Sequence, residues 1–512
     1  MDAFAANLQQ IADWITAHIT MWVLVGTGLA LTIATRGVQV RHLGSMVRQV
    51  RGARGGAEGG ISSFQAFAIS LAARVGIGNV FGVAAALLMG GPGAIFWMWV
   101  VALVGMATAF FEATLAQIFK VRSADGAFRG GPAFYMTRGM RSRPLAVVFS
   151  VISLVTCGFI ITSVQSNSVA GTLLAAFGAD DAAPLPGAGG LTSAQLVIAA
   201  LIFVFTAMVV FGGVRAVARV TEWMAPIMAL IYIILVAFIC LTNIHEFVDV
   251  LGQIVRAALA PEPIAGGLGG GILAAVVNGT KRGLFSNEAG QGTAPNAAAT
   301  ATVAHPVQQG LIQSLGVFVD TIIVCTATAF VILIAGPEVW SSPDANPATL
   351  TTLAIAHELG GWTVAPMAVL IFVLAYSSII AAYVYSDVNM EYLVGPRRWA
   401  SWTVRVLSVV SASAGAILTL DVVWNAVDIA MAVMTLTNLV ALLWLIRWGT
   451  GALRDYEAQI RAGVAEPLFV GRANPHLPGD VPGDVWASPD DAAPHDPRTT
   501  QPAASTGAEH CS

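Results

Sequence analysis

Apolar segments long enough to cross a lipid bilayer recur along most of the chain. A transmembrane helix needs about 20 largely apolar residues, and on that rule the sequence predicts about eleven spans. A bilayer offers no water to exposed backbone groups, so such spans are helical. Of the 512 residues, 56% are hydrophobic and 11% are charged, whereas a soluble domain carries about 25% charged residues. The sequence therefore predicts an all-α polytopic membrane protein. The predicted spans are 14–35, 62–90, 93–119, 146–176, 192–213, 222–243, 268–289, 309–335, 350–385, 402–420 and 423–446.

The basic residues predict the orientation of these spans. The first connection carries five arginines between Arg36 and Arg54, and the third is similarly basic, whereas 90–93, 177–191 and 336–349 contain no Lys or Arg. Positive charge concentrates on the cytoplasmic side of a membrane. We therefore expect a multi-pass protein of the cell membrane with its amino terminus outside and its carboxyl terminus in the cytoplasm, an arrangement that requires an odd number of spans.

Composition and spacing exclude several other classes of protein. The net charge is −4 and the basic residues fall in short clusters between apolar segments, which argues against nucleic-acid binding. The four cysteines are Cys157, Cys240, Cys325 and Cys511, and no metal-ligand spacing appears among them. No nucleophile–base pair is visible either. We predict no enzyme activity and no resident cofactor.

The second predicted span contains the segment Arg74-Val-Gly-Ile-Gly-Asn-Val80. Glycines on both sides of one residue, followed by Asn, let a helix open in the middle of the membrane. The freed carbonyl groups hold a cation, and the amides of the next half-helix hold a carboxylate. A small-residue face for helix packing explains the same motif equally well.

The stretch 269–304 is the second irregular span. Its first half is apolar, but its second half carries Lys281, Arg282, Asn287 and Glu288 among several glycines. Irregular backbone at membrane depth requires protein or a water-filled cavity around it. Five spans separate the starts of the two irregular spans, and the two spans run in opposite directions. Two broken segments in corresponding halves favour a transporter site.

The motifs of the chain resemble those of the alanine or glycine:cation symporter family over roughly residues 15–450. They are Gly76-Ile-Gly-Asn79, Gly90-Gly-Pro-Gly-Ala-Ile-Phe-Trp-Met-Trp99, Gly130-Gly-Pro-Ala-Phe-Tyr-Met136, Leu284-Phe-Ser-Asn-Glu-Ala-Gly-Gln-Gly-Thr-Ala-Pro295 and Val319-Asp-Thr-Ile-Ile-Val-Cys-Thr-Ala-Thr328. The resemblance implies uptake of a small neutral amino acid, similar to alanine or glycine, coupled to Na⁺ or H⁺.

The resemblance also implies a domain organisation. A LeuT-like core consists of two inverted five-helix repeats with discontinuous first helices, here 62–243 and 268–446. Residues 1–61 form an extra helix and a cytoplasmic loop, and 244–267 form an extracellular connection. From residue 463 the tail is rich in Pro, Asp, Ala and Ser, so within 447–512 we predict a cytoplasmic and largely disordered tail.

Substrate residues follow from the charges of an amino acid zwitterion, since each charged end needs a partner when it is buried. We expect the amides of Ile77 and Gly78 to bind the carboxylate. Asn79 offers its amide to either end of the substrate or to an ion. The family pattern places a substrate-contacting glutamine at Gln165, although a lone polar group also serves helix–helix hydrogen bonding. Ser378 completes the polar set.

The predicted Na⁺ site lies on the ninth span. Ser377 and Ser378 follow Leu374 by three and four residues, so one helix face presents both hydroxyls beside the Leu374 carbonyl. In LeuT-like folds this face meets the carbonyls before the first helix break, here those of Ala72 and Val75. By themselves, such serines also satisfy the carbonyls of their own helix.

Charged residues within spans are costly and therefore candidates for function. For Glu112 and Glu288 we favour structural pairing with a basic residue such as Arg74, Lys281 or Arg282. Asp320 is a candidate for titration in a proton-coupled variant. The sequence by itself leaves the roles of all three acids open.

One position departs from the family pattern. The ninth span continues as Ala381-Ala-Tyr-Val-Tyr-Ser-Asp387, and Ala382 stands where the family has a pocket tryptophan. An indole is among the largest side chains. We therefore expect a substrate bulkier than glycine or alanine, or a pocket that another aromatic residue closes.

Two rival functions are compatible with the sequence. An ion channel requires a continuous polar pore, whereas the polar residues here gather at two helix breaks. An amino-acid-sensing receptor without net transport fits the sequence too. Neither the amino acid, its enantiomer, the coupling stoichiometry nor the oligomeric state follows from the sequence.

Overall fold

The computed structural model describes residues 2–53, 61–123, 126–179, 185, 191–259, 271–342, 345–417 and 420–488, with residues 2–6, 420–423, 425 and 426 described by their backbone alone. The chain is helical almost throughout, as the sequence predicts. The first half forms α1 (Asp2–Ile15), α2 (Met21–Ala34), α3 (Val38–Arg41), α4 (Leu43–Gly52), α5 (Ser63–Arg74), α6 (Phe81–Gly90), α7 (Gly93–Ile118), α8 (Pro132–Arg138), α9 (Arg143–Val155), α10 (Thr162–Ala176), α11 (Ser193–Val210) and α12 (Gly213–Thr242). A small antiparallel hairpin of β1 (Val121–Arg122) and β2 (Phe128–Arg129) follows α7.

The second half of the chain continues with helices of very different lengths. They are α13 (Phe247–Leu259), α14 (Ile272–Asn287), α15 (Ala294–Ala298), α16 (Pro306–Val317), α17 (Thr326–Ile334), α18 (Pro337–Trp340), α19 (Leu350–Leu359), α20 (Val364–Val394), α21 (Arg398–Gly415), α22 (Leu420–Trp444) and α23 (Ile446–Arg461). Segments of π-helix at Thr16–Thr20, Thr156–Ile161 and Phe318–Cys325 join α1 to α2, α9 to α10 and α16 to α17.

Within the described residues, eight helices are long and apolar enough to cross a membrane, or nine when the bent pair α5–α6 counts as one span. The chain is therefore a multi-pass membrane protein. The predicted seventh and tenth spans form α14 and α21 but fall outside that set. Helix α14 has only 16 residues, and α21 includes Arg398 and Arg405. The total of eleven stays a prediction.

The predicted ninth span, 350–385, is wrong as a single helix. It divides into α19 and α20 at Gly360, whose φ of +97° favours glycine. A short 3₁₀ turn, Gly361–Thr363, then starts the long helix α20. Ser377, Ser378 and Ala382 all lie on α20, well inside its 31 residues.

The predicted disorder of the carboxyl-terminal tail is also wrong for the part that the structure describes. Helix α23 continues from α22, and residues 464–488 fold back against the bundle. Phe469 and Trp486 are only 0% and 3% exposed. These two aromatic side chains supply the apolar burial that a composition rich in Pro, Asp and Ala appeared to lack. Residues 489–512 lie outside the described part.

Helix α7 lies at the centre of the fold and packs against both α14 and α16. Small residues allow this close approach. A Cβ atom on Gly279 of α14 would overlap the Ala94 carbonyl of α7, and one on Gly310 of α16 would lie 2.9 Å from the Phe110 carbonyl oxygen. From Gly105 to Ile118, α7 is buried on all sides. Its one acidic residue, Glu112, is thereby placed among the irregular segments that form the site.

Candidate functional site

The first helix break separates α5 from α6, which are bent by 49° relative to each other. Helix α5 ends at Arg74, and Gly76 adopts φ −135° and ψ −147°, outside the helical region. The Gly76 amide donates to Asn79 Oδ1 at 3.0 Å. The Asn79 side chain therefore stabilises the turn Gly76–Asn79, in which it lies. All of Gly76–Asn79 is buried. The sequence-predicted break is therefore present.

The second break follows α14. The sequence predicts this irregular backbone within residues 269–304. Glu288 adopts a left-handed φ of +56°, and Gly290 and Gly292 have φ of +94° and +81°. The chain then enters the short helix α15. Lys281 and Arg282 lie before this break, within regular helix. The irregular backbone is therefore confined to Glu288–Thr293.

Glu112 of α7 satisfies the backbone of the second break. Its Oε2 accepts from the Gly290 amide at 3.1 Å, and its Oε1 accepts from the Gly292 amide at 2.8 Å. Asn438 Nδ2 of α22 donates to the same carboxylate at 2.6 Å. Buried amides without partners cost free energy. Glu112 therefore stabilises the open turn from the centre of the bundle.

The predicted pairing of Glu112 and Glu288 with basic residues is wrong for the described part of the chain. Glu112 binds amide groups instead, and Glu288 Oε2 accepts from the Tyr385 hydroxyl at 3.2 Å. Arg74 donates to the carbonyl and the side-chain oxygen of Gln313, at 3.1 and 3.0 Å. The cations therefore have other partners than these two glutamates.

Lys281 and Arg282 form a separate ion cluster. Lys281 Nζ lies 2.8 Å from Asp13 Oδ1 of α1 and 2.9 Å from Asp428 Oδ2 of α22. Arg282 binds the same Asp428 oxygen at 2.9 Å. This cluster ties the amino-terminal helix, the broken span and α22 together.

The two helix breaks meet each other directly. A Cβ atom on Gly78 would lie 3.0 Å from Ser286 Cα and 3.2 Å from the Phe285 ring. Only glycine therefore lets the first break approach the last turn of α14 without a shift in position. The Gly-x-Gly motif serves this contact as well as the local opening of the helix.

Asp320 joins the two breaks through side chains. Its Oδ1 accepts from Asn79 Nδ2 at 2.7 Å, and its Oδ2 accepts from the Ser286 hydroxyl at 2.9 Å and the Thr321 hydroxyl at 2.7 Å. Asp320 is 0% exposed and lies in the π-helical segment Phe318–Cys325. Such segments often occur at functional sites.

Asp320 has no cationic side chain within ion-pair distance among the described residues. A buried carboxylate is costly, and hydrogen bonds from neutral donors offset only part of that cost. A bound cation or proton would remove the remaining part. Asn79, Ser286 and Asp320 therefore form an anionic centre at the junction of both breaks.

Most of the predicted Na⁺ ligands also come together. Ser377 Oγ lies 3.1 and 2.7 Å from the carbonyl oxygens of Ala72 and Leu374, and Ser378 Oγ lies 2.9 and 3.3 Å from the same two oxygens. Each hydroxyl can donate its one proton to either oxygen. Val75 is buried at the end of α5, but no bond joins its carbonyl to either serine within the described chain. Four of the five predicted residues thus converge.

This group has the chemistry of a Na⁺ site. Hydroxyl and carbonyl oxygens are ligands for hard cations, and the serine hydroxyls reach across from α20 to the end of α5. A hydroxyl that donates to a carbonyl keeps its own lone pairs for a cation. The serines therefore do more than satisfy their own helix, because both bond to Ala72 of another element.

The predicted substrate residues surround the first break. Gln165 Oε1 accepts from the Ile77 amide at 3.4 Å. A Cβ atom on Gly76 would collide with the Ser378 hydroxyl and lie 3.5 Å from Gln165 Nε2. Gln165 and Ser378 thus flank the same glycine. Ala382 lies one turn further along α20 and is 3% exposed.

Aromatic and ionic layers cover the site beside α6 and α14. The Trp424 ring of α22 stacks on Phe81 at a centroid distance of 4.5 Å and contacts the Phe285 ring in a tilted arrangement at 5.0 Å. The Arg282 guanidinium lies 5.0 Å from the same indole. Phe81 and Phe285 are close in sequence to Asn79 and Ser286, so this layer lies immediately next to the anionic centre.

The opposite side of the site, beside α5 and α15, is closed by polar contacts. Gln313 Nε2 donates to Ser70 Oγ at 3.1 Å. Further out, Ile61 and Ala301 form a parallel β-bridge, and the Thr302 amide donates to the Ile61 carbonyl at 3.0 Å. The site therefore lies between two separate closures.

Sequence reasoning missed three residues of this arrangement. Ser286 and Trp424 contact residues of the first break or its neighbours, and Cys325 Sγ lies 3.3 Å from Asn79 Nδ2 and 3.2 Å from Ser286 Oγ. The Ser-Asn-Glu motif and the segment around Asp320 were visible as family motifs. No spacing in the sequence, however, indicates that residues 34 positions apart share a hydrogen bond.

Comparison with known proteins places the chain among amino-acid transporters. The sequence model of the sodium:alanine symporter family matches residues 1–470. The chain is 40% identical over 487 residues to the amino-acid carrier protein AlsT of Bacillus subtilis, which covers 95% of this chain and 98% of that protein. It is 38% identical to the probable sodium/glutamine symporter GlnT of the same organism, over 90% of this chain and 94% of that protein.

The fold has counterparts among solved structures. The crystal structure of MhsT in complex with L-phenylalanine matches with a TM-score of 0.54 and 17% sequence identity, covering 75% of this chain and 89% of that one. At that identity the match shows a shared LeuT-like fold and nothing about the ligand.

Replacing Asn79 should abolish transport. Asn79→Ala removes the hydrogen bonds to Asp320 and to the Gly76 amide, and bonds to charged groups contribute about 1.5–3 kcal/mol each. We expect uptake in proteoliposomes to fall by at least about tenfold, since 1.4 kcal/mol is a factor of ten. Asn278→Ala, on α14 but bonded to Met89 and Ala274, is the matched control. Unchanged uptake by Asn79→Ala would remove this residue from the site.

Replacing Glu112 should impair transport through the second break. In Glu112→Gln one oxygen is replaced by an NH₂ group, which cannot accept from a glycine amide. We expect a loss of about tenfold in uptake rate from a single lost charge-assisted bond. Thr114→Val on the same helix is the control, since the Thr114 hydroxyl has no partner. Equal activity of the two variants would contradict a role of Glu112 in positioning the break.

Proposed function

Because the chain belongs to the sodium:alanine symporter family, we propose that it imports a small neutral amino acid together with Na⁺ by alternating access. Membership supports amino-acid symport as the general activity and transport rather than enzyme catalysis. The identity of the amino acid and of the coupled ion are our proposal. No bound cofactor is needed, because the ion gradient supplies the free energy.

The observation that carries this proposal is the hydrogen-bond group of Asn79, Ser286 and Asp320. Each of the two broken spans contributes one of its members, and the carboxylate between them accepts from both. A cation bound beside Asp320 would therefore stabilise both breaks in one arrangement. A ligand shifts a conformational equilibrium only by its differential affinity for the two states, and this geometry supplies such a difference.

The balance of buried charge favours cation coupling. Around the breaks, Glu112, Glu288 and Asp320 bring three carboxyl groups, and the buried Arg74 brings one guanidinium near them. Lys281 and Arg282 are already balanced by Asp13 and Asp428. An excess of acidic groups in a low-dielectric interior favours uptake of positive charge. Na⁺ or protons can meet this demand.

We propose two places for cations. The first is the set of Ala72, Leu374, Ser377 and Ser378 oxygens, to which the Val75 carbonyl is added when the end of α5 adjusts. The second is beside Asp320. A site of hydroxyl and carbonyl oxygens alone suits Na⁺, whereas a carboxylate can bind either Na⁺ or H⁺. The place beside Asp320 would therefore determine whether Na⁺ or H⁺ is the coupling ion.

The substrate would lie between the first break and α20. The amides of Ile77 and Gly78 would receive its carboxylate, with Asn79, Gln165 and Ser378 as further polar partners, and carbonyls of the second break would receive its ammonium. The Gln165 contact to Ile77 supports this arrangement, because a substrate carboxylate can take the place of the Gln165 oxygen at that amide.

Alternating access follows from the two closures on either side of the site. We propose two inverted repeats, 62–243 and 268–446, whose first helices are the two broken spans. With the amino terminus outside, the Trp424 layer would face the extracellular side and the Ile61–Ala301 bridge the cytoplasm. Opening one closure at a time would expose the site to one side of the membrane only.

A test of coupling uses purified protein in proteoliposomes with Na⁺ and H⁺ gradients imposed one at a time. We expect a Na⁺ gradient to drive amino-acid uptake. Asp320→Asn should raise the Na⁺ concentration for half-maximal uptake by at least about tenfold, because an anionic ligand is lost. Asp387→Asn is the control, since Asp387 is buried on α20 but binds Ser401.

Three outcomes would contradict these proposals. Wild-type uptake that ignores every gradient would exclude symport, and absence of counterflow would favour a sensing receptor. If a gradient drives uptake but Asp320→Asn leaves the Na⁺ concentration for half-maximal uptake unchanged, only the proposed cation site beside Asp320 is excluded.

A second test concerns substrate size. Without the family tryptophan at Ala382, the pocket is expected to admit side chains larger than methyl, and GlnT is named as a probable symporter of glutamine. We expect glutamine-sized neutral amino acids to compete with labelled alanine in the wild type. Ala382→Trp should remove that competition while glycine and alanine still compete. Competition restricted to glycine and alanine in the wild type would contradict the prediction and indicate closure by another aromatic residue.

A further inference from the structure

We name the segment 464–488 the C-terminal strap. It packs on the helix bundle near the loop that follows α15, on the side where α5 begins. The Phe469 amide donates to the Ala304 carbonyl at 3.0 Å, and the Trp486 indole donates to the Gln117 carbonyl at 2.9 Å. The two rings contact each other at a centroid distance of 5.3 Å. The strap is therefore attached to α7 and to the loop before α16.

The strap is folded on itself as well as on the bundle. The Gly471 amide donates to the Trp486 carbonyl and the Val481 amide donates to the Gly471 carbonyl, both at 2.8 Å. Gln459 of α23 binds both the amide and the carbonyl of Leu468. The side chain of Trp486 is thereby held over α7 by a closed loop of backbone bonds.

Under Trp486 lies Lys120, which is 1% exposed. Its ammonium group lies 4.8 Å from the indole and 3.9 Å from the Phe128 ring. It donates to the Ala301 carbonyl at 2.9 Å, and Gln117 Nε2 donates to the same carbonyl at 3.1 Å. Trp486 thus shields a bond that would be weaker in water.

The loop that contains Ala301, whose carbonyl accepts from Lys120, also contacts the start of the first broken span. Ala301 forms the β-bridge with Ile61, one residue before the cap of α5, and the same loop follows α15. A movement that separates α5 from α15 must break this bridge. The strap covers the region of the Ile61–Ala301 bridge with the side chains of Phe469 and Trp486.

His305 connects the strap to α23. Its Nε2 lies 3.1 Å from Asp455 Oδ2, and its ring is 5.1 Å from both Tyr456 and Phe469. At the other end of the same interface, Glu457 binds Arg41 and His42 of the first connection. Burial raises the pKa of Glu457, but the bonds from His42 and Arg41 outweigh it and hold that pKa below its usual value. The strap therefore rests on an anchored helix.

We propose that the C-terminal strap is an autoinhibitory latch, which holds the α5–α15 closure shut and must detach before the site opens to that face. The latch rests on the proposed alternating access. The match to the family model ends at residue 470, within the strap, and the alignment with AlsT covers 95% of the chain.

The test follows access to Cys325, which lies in the site. In a background with Cys157, Cys240 and Cys511 replaced by Ala, a membrane-impermeant methanethiosulfonate is applied from the strap's face. Trp486→Ala and a chain truncated after Gly463 should label at least about fivefold faster than the parent, the lower end of typical coupling between two sites. Leu468→Ala is the control, because that side chain is 38% exposed.

Equal labelling rates in the parent, Trp486→Ala and Leu468→Ala would overturn the latch. Trp486→Ala decides the question if the truncated chain does not fold, and its thermal stability in detergent is measured alongside. Labelling from the opposite face should not rise, so a general loosening of the protein, which raises both rates equally, also counts against the proposal. Because labelling requires no transport, a failed latch is distinguished from a failed symport assignment.

Discussion

The fold depends on one constraint, that backbone groups opened in the middle of a membrane protein need partners other than water. The second break shows how this is met. Glu112 extends from the fully buried part of α7 and accepts from two glycine amides of the open turn. At the first break Asn79 performs the same task within its own turn. The packing of α7 against α14 and α16 brings the Glu112 carboxylate to the turn of the second break.

The same constraint explains why the acidic residues of the interior are not simply paired with basic ones. Glu112 and Glu288 bind amide and hydroxyl donors, and Asp320 lies between Asn79 and Ser286. An ion pair would have neutralised each carboxylate permanently, whereas neutral donors leave its charge available. That difference distinguishes the anionic centre from the cluster of Lys281, Arg282 and Asp428, which ties elements together and has no charge left to attract a cation.

Parts outside the central spans contribute to the two closures. At one side, Asp13 of the amino-terminal helix reaches Lys281, next to the Arg282–Trp424 layer. At the other side, the C-terminal strap covers the bond between Lys120 and Ala301. The amino-terminal helix thus contacts α14 and the C-terminal strap contacts the loop after α15, on opposite sides of the site.

The sequence by itself determined the helical membrane class, both helix breaks and the shared helix face of Leu374, Ser377 and Ser378, because hydrophobic length, glycine spacing and i, i+3, i+4 relations are local properties. That this face meets Ala72 followed only from the family resemblance. Only the tertiary structure decided that Asp320 meets Asn79 and Ser286, since those residues are far apart along the chain. It also divided the ninth predicted span at Gly360 and folded the polar-looking tail through two aromatic residues. The Asp320 contacts and the folding of the tail depend on contacts with distant elements, and composition and periodicity contain no information about such contacts.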